Sequence, residues 1–334
     1  MEQKKERSRS VCRPRQEELE DAALLSRIIS LLRFPLIVGI VCIHAGVPES
    51  VVSAVGSHAV YDFVHEWSAQ VVARVAVPLF FLISGYLFFL NVAAVLVAWL
   101  FHTYVFHLRS AVPHWDLSHW LSVLWDYRGG MPYNYPLWYI RNLMLMAVAA
   151  PLQWWLLKRL PRPVLLLTGV WWLLSGGNVA ATVFFFMLGA WLGIGKRSFG
   201  WALWRLARPA GLLYVMWSVV EAGWGREFMP SVYHQLGIVL GAVCVMGLAA
   251  RYVVHGGRQW KWLQASSFWI YATHVIVLGL TQTWLFRSYR PESDIELLLV
   301  FMAQIAWPVG AGAALYALMH KCLPRLTAWL TGGR

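Results

Sequence analysis

Charge is what this chain of 334 residues has least of: Asp, Glu, Lys and Arg together make up 13% of it. A soluble globular domain carries about 25%, so a charged, water-facing surface around a core of this size is excluded. Acidic residues are the scarcest, 16 against 28 Lys and Arg. The resulting +12 does not read as a nucleic-acid face, because the basic residues sit in short clusters between apolar runs. Cysteine is nearly absent. Cys12, Cys42, Cys244 and Cys322 show no C-x-x-C or paired spacing, and two fall inside apolar runs, so neither a disulfide framework nor a zinc site is implied. No A-x-A cleavage site follows the first apolar run, which contains Arg33 and His44. That run is expected to stay as a first span rather than be removed as a signal peptide.

What is present in quantity is hydrophobic surface, 59% of the residues, with 21 Trp and 13 Tyr. Such aromatic richness suits two interfacial belts at the faces of a bilayer. A crossing helix needs about 20 mostly apolar residues. Runs of that kind fall at 28–46, 71–90, 92–108, 135–157, 163–176, 179–195, 209–222, 232–250, 266–286 and 295–318. The expected fold class is therefore all-α, a polytopic transmembrane helical bundle of about ten spans. It is organised as a basic segment 1–27, a membrane domain 28–320 and a tail 321–334.

Lys and Arg orient the spans. With a cytoplasmic N-terminus, nineteen of them lie in inside segments and five outside: Arg109, Arg128, Arg226, Arg287 and Arg290. The positive-inside rule then makes both termini cytoplasmic. Residues 71–108 are apolar almost throughout, with Asn91 marking the turn. A single helix there would reverse every later loop and put Lys158, Arg159 and Arg162 outside, so two spans with almost no connection are expected.

Ionisable side chains within spans cost about 2.5–3.5 kcal/mol each on insertion scales, which makes every one a functional candidate. Arg33 and His44 share the first span eleven positions apart. That spacing is about 16 Å of rise and returns to nearly the same face. Arg74 precedes Pro78 and Ser84-Gly85; the proline breaks backbone bonding, and the small residues permit close helix approach. Trp138 and Tyr139 open the fourth span, with Arg141 and Asn142 deeper, and His274 lies in the ninth. Read blandly, Arg33 and Arg74 snorkel to headgroups, the aromatic pair anchors at the interface, and His274 is a packing hydrogen-bonder. Glu221 lies near the outer end of its span. Glu49, Asp62 and Glu66, in the first outer loop, are the carboxylates available to orient His44.

Four segments taken in order carry a resemblance. Arg33 and His44 ten residues apart in the intervening chain, Arg74 with PLFFLISGYL, LWYIRNL, and FWIYATH are similar to the acyltransferase-3 family of integral membrane acyltransferases. The resemblance covers residues 28 to about 320. It implies acyl transfer, commonly O-acetylation of an envelope glycan in a bacterial inner membrane, with acetyl-CoA or another acyl-CoA as co-substrate and no metal. It implies His44 as the catalytic residue, acting as a base or through an acyl-histidine. Arg33, Arg74 and Arg141 are carried over as charge-bearing groups, Arg33 nearest the donor phosphates. Trp138, Tyr139 and His274 complete the substrate-facing set. The implied partners are a carbohydrate acceptor on the extracytoplasmic side and the lipid bilayer, with no nucleic acid; the oligomeric state is open.

Two departures stand out. Val77 occupies a position where some members carry a second arginine, and the basic loop expected after SGYLFF is missing at 90–92. Competing classes are a transporter, which intramembrane charges also fit but internal repeats do not support, and a non-catalytic family member that has lost its donor-binding loop.

Overall fold

The computed structural model describes residues 2–88, 137–195, 197, 199–224 and 230–330. Helices α1 Glu2–His44, α2 Ala59–Leu87, α3 Leu137–Val148, α4 Ala150–Arg159, α5 Pro161–Ser175 and α6 Asn178–Ile194 are followed by α7 Gly200–Trp224, α8 Ser231–Val254, α9 Lys261–Ser288, α10 Asp294–Cys322 and α11 Pro324–Leu330. Among the described residues there is no strand. Among the described residues, five helical stretches are long and apolar enough to cross a membrane: Glu20–His44 within α1, and α2, α8, α9 and α10. The span expected at 92–108 and the tight connection at 90–92 lie outside the described residues.

Polarity is arranged inside out. Val148, Leu166, Leu167, Leu174, Leu212 and Met216 are each at least 68% exposed, while Asn142, Gln153, Glu221, His234, His274 and Gln304 are buried. A water-soluble chain seldom exposes so many large apolar side chains while burying its polar ones, whereas helices in lipid do.

Residues 1–77, 195–267 and 290–305 make one compact unit. Within it α1 and α2 meet where Gly39 lies against Ala73 and Ala76; a Cβ on Gly39 would stand 3.3 Å from that of Ala76. Helices α7 and α8 pack along their length because Gly247 admits the backbone of Ala207, 2.8 Å from where its Cβ would be. Such small-residue contacts are the membrane substitute for a hydrophobic driving force. Asp21 of α1 accepts from the backbone N–H of Trp201 at 2.9 Å, placing a carboxylate at the start of α7. Glu221 of α7, 1% exposed, pairs with the Nδ1 of buried His234 on α8. That pairing lets an ionisable residue sit at this depth.

The second unit comprises 78–194, 268–289 and 306–334. The expected span 135–157 is two helices, broken at Ala149. Pro151 has no N–H to continue the ladder, and the side chain of Gln153 donates to the carbonyl of Met146 at the break (3.1 Å). Pro161 likewise ends α4 and opens α5. Gly176, at φ 61°, ends α5 in a left-handed turn that a glycine adopts without strain.

Candidate active site

Helix α1 carries Arg33 and His44, both half-buried. His44 is the last residue of the helix, where the macrodipole favours a cation. The chain just beyond it is fastened twice. Gly46 N–H donates to the buried Gln304 Oε1 of α10 at 3.2 Å, and Val47 N–H donates to the Tyr61 hydroxyl of α2 at 3.0 Å. His65 of α2 lies beside Gly46, its Nε2 3.4 Å from where a Cβ there would stand. The His65 ring stacks on Tyr61 (5.5 Å) and meets Phe301 edge-on (5.3 Å). Cys42, Ala45, Tyr61, Ala73, Leu297 and Phe301 are among the buried residues packed around this end of the helix.

Arg74 sits in a tight turn, Ala73–Val75, that follows a π-helical stretch Glu66–Val72. The irregularity falls just ahead of Pro78, which removes one backbone donor and crowds the carbonyl four residues earlier; such bulges recur at functional positions. Arg74 Nη2 donates to Gln70 Oε1 at 2.5 Å. The turn that bears it packs on α1 at Gly39, between Arg33 and His44 in sequence. These three candidates therefore belong to one pair of packed helices.

Of the carboxylates considered for orienting His44, Asp62 is turned to His58, Oδ2 lying 2.6 Å from Nδ1, on the exposed side. Glu49 is exposed and Glu66 half-buried. Asp294 serves the backbone instead. Its two oxygens accept from the N–H groups of Val60 (2.9 Å) and Tyr61 (2.7 Å), capping the start of α2. The helix thus begins at Ala59, twelve residues ahead of the expected 71. Asp62, His65 and Glu66 interrupt the apolar pattern there and hide its first turns.

In the second unit, α3 holds Trp138, Tyr139, Arg141 and Asn142. The aromatic pair is packed inward. Trp138 is 8% exposed and lies 6.0 Å from the Phe81 ring. Tyr139 packs on Phe81 at 4.6 Å and Tyr271 at 6.2 Å, and its hydroxyl meets Ser84 Oγ at 3.0 Å. Asn142 Nδ2 donates to Thr182 Oγ1 of α6 at 3.1 Å. Arg141 and Asn142 line a cavity of about 270 Å³ with Trp138, Trp171, Ser175 and Asn178. His274 is fully buried, and its Nδ1 donates to the Tyr271 carbonyl one turn back at 2.7 Å, which leaves Nε2 as the accepting nitrogen.

Gln304, Tyr61, His65 and Asp294 were not among the sequence candidates. Gln304 was recoverable as an uncharged polar residue inside an apolar run. The other three act through backbone and ring contacts that spacing does not encode.

The membrane-length helices, with half-buried guanidinium groups and buried imidazoles among them, define a multi-pass membrane protein with the parts for polar chemistry. The family model Acyl_transf_3, an acyltransferase domain, matches residues 27–319, nearly the whole chain, and the protein belongs to that family. No curated protein and no solved structure matches the chain.

Proposed function

We propose that the protein transfers an acyl group, acetyl in the first instance, from a coenzyme A thioester to a hydroxyl of an envelope carbohydrate. It does so from a bacterial inner membrane that it crosses ten times with both termini in the cytoplasm. The observation that carries the reading is His44, a half-buried imidazole at the end of a membrane-length helix, its following turn fastened by Gln304 and Tyr61, in a chain of an acyltransferase family.

In this reading His44 takes the proton from the acceptor hydroxyl as the oxygen attacks the thioester carbonyl carbon. The tetrahedral intermediate collapses with cleavage of the C–S bond, and the departing sulfur takes the proton back from the imidazolium, releasing free coenzyme A. Guanidinium groups meet the negative charges involved: Arg33 the donor phosphates, and Arg74 or Arg141 the oxyanion. Trp138 faces the sugar, Tyr139 packs behind it with its hydroxyl on Ser84, and His274 is a further polar group of the substrate path. The acyl-CoA is a co-substrate, and the mechanism uses no metal.

Mass spectrometry of envelope glycans tests this in cells. Cells with the wild-type gene should show one sugar heavier by the mass of one acyl group. Cells lacking the gene, or carrying His44→Ala at equal membrane abundance, should not. An unchanged glycan profile across all three overturns the reading.

A further inference from the structure

Two adjoining cavities that share Arg141, Asn142 and Val179 form a groove along α3 and α6 in the second unit, and their linings differ. The mouth, about 270 Å³, is lined by Trp138, Arg141, Asn142, Trp171, Ser175 and Asn178. It lies at the ends of the helices, where α5 turns into α6 through Gly176 and Gly177. The second limb, about 230 Å³, shares Arg141, Asn142 and Val179 with the mouth and continues past Thr182 between Leu145, Met146 and Val183. From Asn178 to Val183 the helix rises about 7.5 Å, so the apolar limb runs away from the helix ends along the span. Arg141 stands at the junction, belonging to both limbs.

Each part selects a chemistry. Two indoles with amide and hydroxyl side chains around the mouth suit a sugar ring, whose apolar face stacks on an aromatic while its hydroxyls find donors and acceptors. A guanidinium at the boundary between polar and apolar linings suits a phosphate ester. A slot between Leu, Met and Val side chains suits an alkyl chain. We infer that this groove holds a lipid-borne acceptor, the sugar in the mouth, the phosphate link at Arg141 and the chain in the apolar limb. The inference rests on the acyl-transfer reading and narrows its substrate class: the carbohydrate is acylated while still attached to its lipid carrier. On the topology proposed above, the α5–α6 turn is extracytoplasmic, the side on which such an acceptor is presented.

Three probes on purified full-length protein in lipid nanodiscs separate the contributions: glucosyl phosphodecane, glucose 1-phosphate and decyl phosphate. The first should bind at least tenfold more tightly than either of the others. Leu145→Trp, or Val183→Phe on the facing wall should the first variant fold poorly, fills the apolar limb and should remove the advantage over glucose 1-phosphate. Trp171→Ala should remove the advantage over decyl phosphate, and Arg141→Gln should weaken both phosphodecyl probes at least tenfold. Leu174→Trp, on the exposed face of α5, should change none of these. Equal binding of decyl phosphate and glucosyl phosphodecane makes the groove a plain anionic-lipid site and overturns the inference, as does an advantage that survives Leu145→Trp and Val183→Phe. Groove-dependent binding together with envelope glycans that carry no acyl group would retain the site and refute the acyl-transfer reading.

Discussion

On the proposed chemistry, His44 is positioned by side chains of other helices that hold the turn after it. The Gln304 side chain is buried in α10, and its Oε1 receives the N–H of Gly46, two residues past the imidazole. A hydrogen bond of this kind contributes about 1 kcal/mol net, and leaving a buried donor unpaired costs about 1–3 kcal/mol. Gln304→Leu should therefore lower kcat roughly tenfold by loosening the turn after His44, with the acceptor KM nearly unchanged. Gln304→Glu, which keeps an accepting oxygen, should restore most of the rate. An equal loss in both variants would assign Gln304 to packing rather than to positioning. The same residue scale shows what a sequence withholds. Arg33, His44, Arg74, Arg141 and His274 announce themselves as polar groups in apolar runs. Asp294 and Tyr61 do not, because an acid at a helix start and a tyrosine near an interface look ordinary until their backbone partners are known.

At the scale of elements, small residues decide which helices meet. A Cβ on Gly85 of α2 would run into the backbone carbonyl of Phe186 on α6, and one on Gly189 of α6 into that of Leu82. Two glycines thus let the helices approach backbone to backbone. The Ser84-Gly85 pair had suggested such an approach, though the partner helix was not legible from a single sequence. Gly85→Ala should abolish folding or lower the unfolding temperature sharply. Gly279→Ala, where nothing lies within 4 Å of the new methyl, should be neutral or stabilising by up to about 1 kcal/mol. Comparable thermal stabilities for the two variants would rule out this contact as a determinant of the fold. Helix existence was legible wherever apolar runs were long, as at α8, α9 and α10. Helix starts were less so. A hydropathy reading begins where polarity ends, so it missed the first turns of α2 and the start of α7, where Arg205 and Arg208 break the apolar pattern. The break at Ala149 was hidden for a related reason: Pro151 sits inside an apolar run that gives no other sign of a boundary.

For the whole molecule, the distribution of Lys and Arg predicts an orientation that labelling tests directly. In a background without native cysteines, a membrane-impermeant maleimide added outside intact cells should label Arg290→Cys and spare Arg258→Cys, both of which stand in connections between long helices. The opposite pattern would invert the proposed orientation and put the mouth of the α3–α6 groove on the cytoplasmic face. On the proposed reading, function at this scale comes down to thioester chemistry at one imidazole. Its most direct test uses the purified protein in nanodiscs, radiolabelled acetyl-CoA and an envelope glycan extract, with wild type and His44→Ala compared at equal thermal stability. General acid–base catalysis is worth about 10²–10⁴ in rate, so the variant should transfer label at least a hundredfold more slowly while still binding the donor. Transfer at the wild-type rate by His44→Ala would contradict the proposed chemistry at its centre.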